Sequence, residues 1–165
     1  MALRTVREIG DPILEKKAKP VKEINDHLRE LINDMFDTMY ETGGVGLAAP
    51  QIGILKRLVV IDCGNEDGTE NPIVLINPEI IEKDGEQTGY EGCLSVPGKM
   101  GIVTRPNHVK VKTMTLDGKE EILEGTDLLA RCFCHEIDHL DGVLYTTKVE
   151  GELVDSNSMS EDDEQ

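Results

Sequence analysis

The chain has 165 residues, a formal charge of −16, and only two Phe, three Tyr and no Trp. That length makes one domain able to bury a real core, which must be mostly aliphatic. So acidic a chain lacks the basic face a nucleic-acid binder needs, and no segment is apolar for long enough to span a membrane.

The first residues, Met1-Ala2-Leu3-Arg4-Thr5-Val6-Arg7, lack the apolar stretch of a secretory signal. Cys63, Cys93, Cys132 and Cys134 are not spaced as a disulfide framework, so the reading is a reducing cytoplasm. Leu28, Leu31, Ile32, Met35, Phe36 and Met39 recur at helical spacing. They predict a helix ending near Gly43-Gly44, with its Met and Phe in the core. The stretch Gly43-Gly44-Val45-Gly46-Leu47 lacks the GK[ST] signature of a phosphate loop and reads as a turn with close backbone packing. Residues 57–62 and 73–77 read as strands. Residues 80–90 suggest a hairpin turning at Asp84-Gly85, and residues 108–115 with 120–123 another turning at Asp117-Gly118. His27 and His108 fall on segments that read as exposed. Residues 149–165 hold seven acids and no Lys or Arg, the composition of a solvated, disordered tail. The order is helix, strands, helix. It gives an α+β fold, with antiparallel strands packed around a buried C-terminal helix and an N-terminal helix beside them.

The last helix carries the most informative pattern. Its lead-in, residues 126–134, has no Gly or Pro; Thr126 suits the N-cap, Asp127 the positive end of the dipole, and Gly142 the stop. Leu129, Cys132, Phe133, Ile137 and Leu140 make it apolar nearly all round, so it is buried. Within it stands His135-Glu136-Ile137-Asp138-His139, an HExxH motif. Positions i and i+4 share a face, so both imidazoles point at one ion with Glu136 nearby as proton acceptor. This is the pattern of metal-assisted hydrolysis. The plainer reading, two core histidines bonded to carbonyls, leaves the buried Glu136 without a partner.

A catalytic site of this kind uses three protein ligands and keeps a position for water. The extended motif HExxHxxGxxH finds Gly142 but has Tyr145 in the last slot, and Glu161 and Glu164 sit in the polar tail. Upstream, Glu91-Gly92-Cys93-Leu94-Ser95-Val96-Pro97-Gly98 sets a cysteine between a permissive glycine and a Pro-Gly bend. A thiolate there would complete a Cys-His-His set, although a lone cysteine is more often a small buried hydrophobe. Two rivals stay open: an endopeptidase with a ligand not found, and a structural metal closed by Cys132 or Cys134, which leaves Glu136 unexplained.

Three segments together resemble the peptide deformylase family: Gly44-Val45-Gly46-Leu47-Ala48-Ala49-Pro50-Gln51, Glu91-Gly92-Cys93-Leu94-Ser95, and His135-Glu136-Ile137-Asp138-His139-Leu140. They stand in the family's order, and the resemblance runs to about residue 148, setting a catalytic domain of residues 1–148 before the tail. One departure is Cys134, where the family often has Gln. The resemblance implies hydrolysis of the formyl group from the N-terminal formyl-methionine of nascent chains, releasing formate. It implies Cys93, His135 and His139 as metal ligands, with Fe²⁺ native and Zn²⁺, Ni²⁺ or Co²⁺ able to replace it. Glu136 would move the proton, and the Gln51 amide and Leu94 backbone N–H would hold the reacting oxygen. Val45, Leu128 and Cys132, with backbone of Gly46, would form the methionine pocket, and the following residues would extend along a strand edge. The implied partners are N-formylmethionyl nascent polypeptides, met at the ribosome exit region.

Overall fold

Residues Leu58–Ile61 are apolar and buried at every position, as a strand covered on both faces must be. In the computed structural model, which describes residues 2–156, this strand lies inside a five-stranded antiparallel sheet. The sheet runs β1 (Gly46–Ala48), β2 (Leu58–Ile61), β3 (Ile73–Asp84), β6 (His108–Met114), β7 (Glu120–Thr126). A second antiparallel sheet has the order β4 (Gln87–Cys93), β5 (Val96–Arg105), β8 (Glu150–Asp155). The helices are α1 (Asp26–Glu41) and α2 (Asp127–Leu140). The α+β class and the buried C-terminal helix are as the sequence suggests.

Alternation along β2 divides the core. Val59 and Ile61 join Phe133, Ile137 and Leu140 of α2. Leu58 and Val60 join Leu28, Met35 and Met39 of α1. The five-stranded sheet therefore sits between the helices, and α2 is buried along most of its length. Phe36 is only half-buried at the edge of the α1 cluster.

Helix α1 starts where Asn25 Oδ1 accepts from the Leu28 N–H at 3.0 Å. Helix α2 starts differently. Thr126 makes no side-chain cap bond; the Asp127 N–H instead donates to the Asn107 carbonyl at 3.0 Å, and Asp127 takes a φ of 53°. At the other end Gly142, with φ 76°, donates to the His139 carbonyl at 3.1 Å. A Cβ there would stand 2.5 Å from the Glu15 carbonyl oxygen, so glycine is required.

Several elements depart from the sequence reading. The β6–β7 hairpin turns at Asp117-Gly118 as expected. Residues 80–90 do not form a hairpin. Glu79–Asp84 pair with Lys112–His108 of β6, whereas Gln87–Cys93 pair with β5 in the other sheet. Asp84-Gly85, with φ 67° at Gly85, therefore marks a crossing between sheets. The expected tail also begins too early, because residues 150–155 form β8 on β5. A Cβ on Gly101 would lie 2.5 Å from Val149 Cγ2 and 3.2 Å from Leu153 Cδ2, so these side chains fill the space above that glycine. Counting acids over residues 149–165 hid the apolar residues Val149, Leu153 and Val154 at its start. Residues 157–165, the rest of the acidic stretch, lie outside the described residues.

Candidate active site

Strand β4 and helix α2 bring the three sequence-predicted ligands together. The ligand atoms of Cys93, His135 and His139 all lie within 4.8 Å of one another. Cys93 Sγ is 3.4 Å from His139 Nε2, which is 3.2 Å from His135 Nε2. One thiol and two imidazole nitrogens converging from a buried helix and a hairpin suit a first-row divalent ion. Neither Cys132 nor Cys134 joins this group; the Cys132 sulfur lies against Cys63 instead, at 3.2 Å. Tyr145 does not act as a ligand either, since its hydroxyl donates to the Lys99 carbonyl while its ring packs against His135.

Glu91 organises the surroundings, and sequence reasoning missed it. Its Oε1 takes the His135 Nδ1–H at 2.5 Å, leaving Nε2 free to face the other ligands. The same carboxylate accepts from Arg105 and Arg131, and Arg105 continues to Asp138 at 2.7 Å. Burial would raise the Glu91 carboxyl, but hydrogen bonds from His135 and Arg105 hold it well below the usual carboxylate range. The available signal was two arginines on segments otherwise destined for burial, Arg105 at the end of β5 and Arg131 within α2, which demand a buried anion.

Among the described residues, the buried side-chain N and O atoms without a hydrogen-bond partner are Glu136 Oε1 and His139 Nδ1. Both belong to the HExxH motif. Burial pushes the Glu136 carboxyl up to about 7, against the charge of His135. Gly46 makes this placement possible, since a Cβ on it would stand 2.6 Å from Glu136 Oε2. Gly44 in turn lies against Leu94, where a Cβ would meet Cδ1 at 2.7 Å.

Gln51 is fixed by its own turn. Its Oε1 accepts from the Ala48 N–H at 2.9 Å, which aims Nε2 at Ser95 Oγ, 3.0 Å away, and Cys93 Sγ, 3.5 Å away. The N-terminal segment straps both sides: Arg7 N–H reaches the Gln51 carbonyl and Ile9 N–H the Ser95 carbonyl. These groups open onto a cleft of about 520 Å³. Val45, Gly46, Gln51, Leu94, Leu128, Cys132 and Glu136 all line it, so every catalytic and substrate-binding residue expected from the sequence is at one place. Val45 and Leu128 stand exposed at its rim. Strands β1 and β4, each the edge of its sheet, also contribute lining residues. The sequence did not point to Tyr90, Met100 or Ser156 as further lining. Of the remaining histidines, His27 is exposed as expected, while His108 is half-buried and pairs with Asp84 and Glu124.

Comparison with known proteins agrees with this geometry. The sequence model of the polypeptide deformylase family matches residues 3–153. A peptide deformylase of Agathobacter rectalis is 64% identical over 155 residues, covering 94% of this chain and 95% of its own. That of Lachnoclostridium phytofermentans is 61% identical over 165 residues, covering 100% of both. The crystal structure of a peptide deformylase from Synechococcus elongatus in complex with actinonin aligns with a TM-score of 0.86 at 45% identity, covering 90% of this chain and 82% of that one. The Thermotoga maritima peptide deformylase aligns with a TM-score of 0.86 at 41% identity, covering 92% and 100%. With a family match over nearly the whole chain and relatives above 60% identity, the chain belongs to the peptide deformylase family.

Proposed function

We propose that Cys93, His135 and His139 hold a divalent ion in the cleft, and that Glu136, Gln51 and Leu94 act on a formyl group brought to it. The overall reaction is that of the family: removal of the N-formyl group from nascent peptides. The observation that carries the assignment is the meeting, in one cleft, of a Cys-His-His donor set with a buried carboxylate whose Oε1 has no hydrogen-bond partner among the described residues. When bound, the ion supplies Lewis-acid polarisation and acidifies water near neutral pH.

The protein's own groups do the rest. Glu136, buried in the lining of the cleft, takes the proton of the attacking water and returns it to the leaving nitrogen. The Gln51 amide N–H and the Leu94 backbone N–H hold the oxygen that turns negative, and the Ala48 bond keeps Gln51 from rotating away. Val45, Leu128 and Cys132, with backbone of Gly46, receive the methionine side chain. Main-chain bonds to an edge strand bind the following residues without regard to their side chains, which suits an enzyme that meets many nascent chains. Actinonin, which the Synechococcus protein binds, would occupy the same cleft.

The native ion in this proposal is Fe²⁺, as the resemblance to the family implies, with Zn²⁺, Ni²⁺ or Co²⁺ able to replace it; a thiolate with two imidazoles can hold any of these ions. The setting in this proposal is the cytoplasm, where the four free cysteines stay reduced and nascent chains are met near the ribosome exit region. The catalytic domain in this reading runs through β8, with only the final acidic residues beyond it. The test is Glu136→Ala, assayed for metal content and for hydrolysis of formyl-Met and acetyl-Met peptides. Wild-type protein should cleave the formyl peptide alone. The variant should keep its metal and lose about 100- to 10,000-fold in rate. Loss of metal with activity would make Glu136 a ligand or a prop.

A further inference from the structure

We infer that Cys63 and Cys132 form a reversible thiol–disulfide site beside the cleft, closed by a hydroperoxide, which restricts the pocket for the substrate's first side chain. The effect on activity rests on the placement of Cys132 in the methionine pocket.

The two sulfurs lie 3.2 Å apart, from residues 69 apart in the chain. That is about 1.2 Å longer than a disulfide bond of ~2.05 Å. Cys132 lines the cleft from the second turn of α2. Cys63 follows β2, is half-buried, and packs against the same apolar cluster. The pair is chemically unequal. The hydrogen bond from Cys132 lowers the Cys63 thiol, against burial and the charge of Asp62, while the same bond and deeper burial raise Cys132. Cys63 is thus both the more exposed sulfur and the better thiolate.

The cross-link would bear on two lining residues of the pocket. Cys132 is itself one of them. Asp62, next to Cys63, donates its N–H to the carbonyl of Val45 at 2.8 Å, and Val45 also lines the cleft, at its rim. Drawing Cys63 toward α2 therefore shifts the β1 side as well.

The chemistry balances with a hydroperoxide as oxidant. The Cys63 thiolate attacks the peroxide oxygen bearing hydrogen; an S–O bond forms, the O–O bond breaks, and an alcohol leaves after taking up the thiol proton. Cys132 then attacks the sulfenic sulfur of Cys63. The S–S bond forms, the S–O bond breaks, and hydroxide departs as water with the Cys132 proton. Two thiols are oxidised and the peroxide is reduced to alcohol and water. A dithiol reverses the reaction by exchange.

The test uses the full chain loaded with Ni²⁺, which keeps iron oxidation out of the result. Protein is treated with cumene hydroperoxide, then mapped by mass spectrometry without reduction and assayed on formyl-Met peptide. The expected product is a Cys63–Cys132 cross-linked peptide, with kcat/KM lower by about tenfold, the scale of one altered apolar pocket contact, and recovered with dithiothreitol. Cys63→Ala and Cys63→Ser enzymes should keep their rate through the same treatment. Absence of the cross-link, a cross-link with unchanged kcat/KM, or equal loss in both Cys63 variants would overturn the inference. Untreated Cys132→Leu separates the two failures. An unchanged KM there faults the pocket assignment itself, and the inference falls with it.

Discussion

Glu91 Oε1 lies 2.5 Å from Nδ1 of His135, so the strand that supplies the Cys93 thiol also supplies the carboxylate that orients the imidazole facing it. Two residues of one strand thus set both sides of the donor group. The register of β4 on β5 shifts between them, where Cys93 pairs with Val96 across the turn.

Replacing Glu91 should therefore weaken the metal site without touching a ligand. Glu91→Gln should bind the ion about 10- to 100-fold more weakly, the usual cost of losing a partner of a ligating histidine. Glu91→Ala leaves Arg105 and Arg131 buried without their anion and should cost about 3–5 kcal/mol of stability. Because the folded carboxyl sits below its ordinary value of 4.5, its contribution is full above that pH and disappears as acid protonates it in the fold. Chelator competition and thermal unfolding against pH check these outcomes. Unchanged metal affinity in Glu91→Gln would show that His135 needs no orientation.

Gly46 should be as sensitive as a catalytic residue although it has no side chain. In Gly46→Ala the new Cβ would stand 2.6 Å from Glu136 Oε2, so the carboxylate must move. A misplacement of about 1 Å costs on the order of 100-fold in rate. The expected result is a fall of that size in kcat with metal content intact. A normal kcat would mean that the position of Glu136 is not critical.

The C-terminal strand sets a boundary that truncation can locate. Ending the chain after Ser156 removes only acidic and polar residues besides Met159, and should leave the rate within about twofold and stability within ~0.5 kcal/mol. Ending it after Glu150 removes Leu153 from above Gly101 and most of the β8 pairing with β5, and should lower the melting temperature by several degrees, since ~1 kcal/mol is worth about 2–8 °C. Equal melting temperatures for the two truncations would make β8 dispensable.

Much of the site was legible because its parts are local. HExxH needs only helical periodicity to place His135, Glu136 and His139, and Leu58–Ile61 declares burial by being apolar throughout. What stayed hidden depends on pairing across the chain. Asp84-Gly85 has the chemistry of a hairpin turn, yet the partners of its flanking strands lie in two different sheets. Glu91 looks like an ordinary strand acid until Arg105, Arg131 and His135 arrive from β5 and α2. Strand β8 is visible only once Gly101 offers Val149 and Leu153 a place to pack. Thr126 and Asp127 show the limit of local rules as well, because the helix start is held by Asn107 rather than by a cap side chain.

The measurement that bears most directly on the account is metal content together with formyl-Met hydrolysis in Cys93→Ser, beside Cys134→Gln and Cys63→Ser. Cys93 Sγ stands 3.4 Å from His139 Nε2, within the donor group, whereas Cys134 and Cys63 lie outside it. A serine hydroxyl is a harder donor that stays protonated near neutral pH, so Cys93→Ser should lose both metal and activity, while the other two variants keep both. Full metal and full rate in Cys93→Ser would contradict the Cys-His-His site and reopen the search for a third ligand.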